Sequence, residues 1–118
     1  MSTSKERLYD LALIEEMAQG DQDFMREMAE TFLLSVPPVI SLMLEHCSNG
    51  EWVLMANEAH GLKSNIDMLQ INSIKDEIRI VELNGKQGTN LEETPKLVIK
   101  VISVLQTVMQ QLKEQYKL

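Results

Sequence analysis

Residues 55–69, MANEAHGLKSNIDML, decide the fold. Met55, Ala59, Leu62, Ile66 and Leu69 recur at spacings of 4, 3, 4 and 3, the period of a helix that buries one stripe. His60 falls one place off that stripe, a step of about 100° round the helix axis. Lys63, Ser64 and Asp67, at i+3, i+4 and i+7, share its flank, and all are polar. The stretch therefore predicts a helix with an aliphatic face turned inward and an imidazole beside a cation at its edge.

Outward from this helix the chain reads as four more. Residues 8–19 form a first helix that stops at Gly20, and Asp21 caps a second, with Asp23 near its positive end and Phe24, Met28, Phe32 and Leu33 on one face. Pro37 and Pro38 interrupt that run, so a long helix bent there is expected, ending near Ser48-Asn49-Gly50. Beyond residue 69, Ser73 with Asp76 resembles a capping box for a fourth helix carrying Ile74, Ile78 and Val81. Asn84-Gly85 is expected to end it, and residues 86–92 form a polar connection. The last helix, residues 93–116, has Pro95 in its first turn and a stripe of Val98, Val101, Leu105, Val108 and Leu112. The expectation is an all-α single domain over residues 1–118: an up-and-down antiparallel four-helix bundle with an additional N-terminal helix.

Composition agrees with that class. The chain has 118 residues, 44% hydrophobic with eight Met and 4% aromatics, a mixture suited to helix packing in one core. Its formal charge of −7 supplies no basic footprint for nucleic acid or an anionic membrane surface. Apolar runs such as VISVL are too short to span a bilayer and MSTSKERLYD has no signal-peptide core, so a cytoplasmic location is expected. Cys47 is alone, which excludes an internal disulfide.

About four residues link the third and fourth helices, so they should pack antiparallel about a midpoint near position 71.5. His60 lies 11.5 positions before that point and Glu82 lies 10.5 after it. The difference of one residue is about 1.5 Å along an axis, so a carboxylate is expected at the level of the imidazole. A carboxylate that accepts a hydrogen bond from Nδ1–H leaves the Nε2 lone pair outward and strengthens the ring as a nucleophile. Lys63 would then meet the oxygens of an incoming phosphoryl group. Neither GxxxxGK[ST] nor GxGxxG occurs, so the phosphoryl group would come from another protein rather than from ATP.

HGLKSNIDML resembles the H-x-L-K-G-S-x-x-x-L signature of histidine-containing phosphotransfer domains of two-component phosphorelays. GDQDFMREMAETFLLSVPPVISLML upstream is similar to that family's second-helix pattern, and VELNGK to its Leu-Glu segment. The resemblance implies a four-helix bundle whose exposed histidine takes a phosphoryl group from one receiver-domain aspartate and gives it to another. It makes His60 the phosphorylated residue, Lys63 the neutralising cation and Glu82 the group that holds the imidazole, with Lys86 and Ser64 as secondary positions. It implies no cofactor of the chain's own, with Mg²⁺ on the receiver, and as partners response-regulator receiver domains and hybrid sensor kinases, engaged by a monomer. Two positions depart from the pattern: Ser64 replaces the glycine after the lysine, and Gln70 the glycine after the leucine. The alternative is a helical adaptor that docks receivers while Ser64 blocks transfer.

Other polar residues need less. His46 near a helix C-terminus is explained by the dipole, and it has no cation at i+3. A metal site from His46, Cys47 and His60 matches no zinc spacing. The methionines read as core filling, Met55 and Met68 being candidates for exposure at a docking surface.

Overall fold

The computed structural model describes residues 6–118. The first five residues of MSTSKERLYD, read above for a signal peptide, lie outside the described part. Five α-helices follow: α1 (Ala12–Ala18), α2 (Gln22–Ser48), α3 (Trp52–Met68), α4 (Lys75–Gln87) and α5 (Thr94–Tyr116), with a 3₁₀ turn, Asn72–Ile74, leading into α4. No strand occurs among the described residues. The protein is all-α.

Contacts between helices fix their directions. Asp67 meets Arg79, Lys63 meets Glu82, and Ala56 faces Gly85, so α3 and α4 run antiparallel. Glu77 with Lys100 and Asn84 with Thr94 do the same for α4 and α5. Helix α2 packs on α3 and α5, and α1 lies against α2. The shared interior is aliphatic, with Met43, Met55, Leu62, Ile66, Ile78, Val81, Val98, Leu105 and Leu112 fully buried. All five positions of the 55–69 stripe belong to it.

Three boundaries differ from the sequence expectation. The first helix starts at Ala12 rather than at residue 8. Burial of Tyr9 and Leu11 holds this segment against α5 and the α3–α4 link, where Leu8 N–H donates to Gln111 and Asp10 N–H to the Leu69 carbonyl. Those amides are satisfied without a helix. Ser73 makes no capping bond, because the chain enters α4 through the 3₁₀ turn with Ile74 at the cap position. Asn84-Gly85 does not end α4 either. Both residues are buried, and the helix continues to Gln87 before Gly88 closes it at φ 67°.

Burial explains why a turn-like pair stays helical. Asn84 donates to Thr94 Oγ1 at 3.2 Å and accepts from Thr89, a polar latch between α4 and the start of α5. At Gly85 a Cβ would lie 2.6 Å from the Trp52 carbonyl oxygen and 2.9 Å from Ala56 Cβ, so the close approach of α3 and α4 requires glycine there.

Asp21 caps α2 as expected, accepting from Asp23 N–H at 3.0 Å and Phe24 N–H at 3.1 Å. The helix continues through Pro37 and Pro38, both exposed, at the loss of the two backbone hydrogen bonds that their missing N–H groups would make to Leu33 and Leu34. By length and apolar composition α2 meets the criterion for a membrane span that short runs such as VISVL miss. Core helices of water-soluble proteins meet the same criterion.

Candidate functional site

The seam between α3 and α4 brings four of the sequence-predicted residues together. His60 and Lys63 come from α3, Glu82 and Lys86 from α4. His60 Nδ1 lies 2.8 Å from Glu82 Oε2. Lys63 Nζ lies 2.8 Å from Glu82 Oε1, and Lys86 Nζ 2.8 Å from Oε2. The carboxylate therefore serves three donors.

Exposure separates the partners. The His60 side chain is 64% exposed and that of Glu82 only 9%. The imidazole thus stands in solvent on a buried anchor. Glu82 would be costly to bury as a lone carboxylate, and its three partners offset that cost. Lys63 first, then Lys86 and His60, hold its carboxyl down to about 2, while burial acts the other way. Glu82 is accordingly an anion at neutral pH and can only accept hydrogen bonds. The ring nitrogen facing it must then carry the proton, which assigns the neutral ring as the Nδ1–H tautomer with its Nε2 lone pair away from Glu82.

Lys63 differs from its expected position in one respect. It does not wait free beside His60, since its ammonium is bound to Glu82 with its side chain 29% exposed. Lys86, read as a secondary position, shares the oxygen that His60 uses. Ser64 is exposed on α3 and makes no contact with Glu82. Gln70, at the helix end, adopts φ 47°, the left-handed conformation that a glycine takes readily.

The second histidine has its own carboxylate, which sequence reading missed. His46 Nδ1 is 2.5 Å from Glu58 Oε1, each side chain 14% exposed, and this bond is the main cause of the raised His46 pKa. The pair tethers α2 to α3. Among the described residues no cation joins it, unlike the pair at His60. Met55 is fully buried and Met68 partly so, which leaves Met55 out of any docking surface. Among the described residues no cluster of His, Cys, Asp and Glu is arranged to hold a metal ion. A cleft of about 500 Å³ between the N-terminal segment and the α3–α4 link is lined by none of the His60 site residues.

No family model matches the chain, and neither does any curated protein or solved structure.

Proposed function

We propose that the protein relays a phosphoryl group through His60 between receiver-domain aspartates, as a histidine-containing phosphotransfer protein of a two-component phosphorelay. The observation that carries this reading is an exposed imidazole whose Nδ1 is held 2.8 Å from a buried carboxylate. The antiparallel pairs α3–α4 and α4–α5, with α2 packed on α3 and α5 and α1 against α2, support an up-and-down four-helix bundle with an additional N-terminal helix. The HGLKSNIDML motif supports the same family.

In the forward step the Nε2 lone pair of His60 attacks phosphorus of the donor's aspartyl phosphate. The N–P bond forms as the acyl O–P bond breaks, and the aspartate leaves as a carboxylate. Glu82 keeps the Nδ1 proton in place and stabilises the positive charge that develops on the ring. Transfer onward reverses these roles at a second receiver. The Mg²⁺ that offsets phosphoryl charge belongs to the receiver. The chain acts as a cytoplasmic monomer.

Lys63 and Lys86 neutralise the arriving group by exchange. A phosphoryl dianion on Nε2 competes with one carboxylate for two ammonium groups, so at least one lysine leaves Glu82 for it. Glu82 keeps the other together with the ring N–H.

Receiver domains encoded in the same genome, each phosphorylated with acetyl phosphate, test the reading. At least one should place an acid-labile, base-stable label on the wild type and none on His60→Gln. A label retained by His60→Gln, or no transfer from any receiver, refutes it; stable receiver binding without transfer would assign the adaptor role instead.

A further inference from the structure

Two glycines sit inside helices next to the site, and the fold accounts for only one. Gly85 is held by the contact of α4 with α3, as shown above. Gly61, immediately after His60 on α3, has nothing within 4 Å of where a Cβ would stand. Its backbone is ordinary helix, so no positive φ requires glycine. A glycine in a helix interior lowers stability relative to alanine, and here the folded chain gains nothing in return.

A second observation concerns the face on which Gly61 lies. The exposed residues of α3 are Val53, Leu54, Asn57, His60, Gly61 and Ser64, and none carries a formal charge. Val53 is 60% exposed and Leu54 42%, while on adjacent α2 Leu42 is 45% exposed. With no formal charge of its own, this face adds nothing of the chain's net charge of −7 to the field an approaching surface meets. The cations Lys63 and Lys86 lie along its α4 edge.

We infer that Gly61 is the point of closest approach for the backbone or side chains of the partner protein whose aspartyl phosphate reaches His60, within an uncharged docking face on α3. This rests on the phosphotransfer reading above. For Nε2 to attack, phosphorus must come within about 3.5 Å of the ring. The Cα atoms of His60 and Gly61 are about 3.8 Å apart, so a surface that delivers the group also covers the Gly61 backbone. An added side chain there is accepted by the free chain and resisted by the complex. Gly61 is thereby a partner-selecting position rather than a structural one.

The experiment compares wild type, Gly61→Ala, Gly61→Gln and a remote control, Ile99→Gln on α5. Each is labelled by a receiver phosphorylated with acetyl phosphate and, separately, by phosphoramidate, a small donor that needs no docking. Phosphoramidate loses ammonia as its P–N bond is replaced by the bond to Nε2. Gly61→Ala should raise Tm by a few degrees. Gly61→Gln should lose at least tenfold in receiver-dependent labelling while phosphoramidate labelling stays within twofold of wild type. Ile99→Gln should match wild type with both donors. Equal receiver labelling of wild type and Gly61→Gln overturns the inference and leaves the phosphotransfer reading intact. Loss of self-association in Gly61→Gln with unchanged transfer would give the face to a second copy of the chain, and also overturns it. Wild type that neither donor labels defeats the phosphotransfer reading itself.

Discussion

Replacing Gly85 with alanine tests the seam that aims the imidazole. The added Cβ would stand 2.6 Å from the Trp52 carbonyl oxygen, 2.9 Å from Ala56 Cβ and 3.0 Å from Met55 Cε. Only the methionine methyl can turn aside. The other two atoms are fixed to the α3 backbone, so relief requires α4 to move outward. Overpacking of this kind costs about 1–3 kcal/mol, and the helix preference of alanine over glycine returns about 1 kcal/mol. With a backbone oxygen as the nearest atom the cost lies at the upper end of its range, so a net loss of about 1–2 kcal/mol is expected. Urea unfolding should show a lower midpoint with an unchanged m-value. Because Glu82 lies about one turn before Gly85, the same displacement lengthens its 2.8 Å contacts to His60 and Lys63, and under the proposed function labelling of His60 by a receiver should slow as well. A variant as stable as wild type would show that the helices are not in the described contact, and the account of how Glu82 reaches His60 would go with it.

Two further outcomes follow from other positions. Gln70→Gly should stabilise the protein by about 0.5–1 kcal/mol, since Gln70 sits at φ 47° and its side chain makes only a 3.4 Å bond to the Asp10 carbonyl; a lower Tm would refute this account of the helix end. Glu82, with a folded pKa of about 2 against an ordinary 4.5, contributes stability that is present above about pH 4.5 and lost as pH falls towards 2. The stability gap between wild type and Glu82→Gln in urea should therefore be widest above pH 5 and close below it, and a gap that is constant from pH 6 to pH 2 would contradict the assignment.

Much of the fold could be read because helical burial is periodic. The stripe from Met55 to Leu69 gave the inward face of α3, and the short link after it gave the level of Glu82 against His60. What escaped reading was set by contacts distant in sequence. Asn84-Gly85 carries a strong turn signal, yet the pair is helical because Thr94 satisfies the amide and Ala56 fills the space a side chain would need. Residues 8–11 carry no local rule against a helix; Gln111 and Leu69, far along the chain, take the amides of Leu8 and Asp10 instead. The Glu58 partner of His46 was hidden for the same reason, since it requires α2 and α3 to fold back on each other.

The charges at His60 show a further limit of spacing. Position along a helix told which residues share a flank, and it put Lys63 beside the imidazole, but it did not tell where the ammonium points. In the folded protein both Lys63 and Lys86 turn to Glu82, because a carboxylate with 9% of its side chain exposed attracts an ammonium group more strongly than an imidazole does. With two ammonium groups on one carboxylate, the site without a phosphoryl group keeps one positive charge in excess beside the ring. In the proposed relay a phosphoryl dianion on His60 would have to share the two lysines with Glu82. That sharing binds the phosphoryl group more weakly than two free cations would. If His60 hands the group on as proposed, a buried glutamate between two lysines keeps that group from being held too tightly.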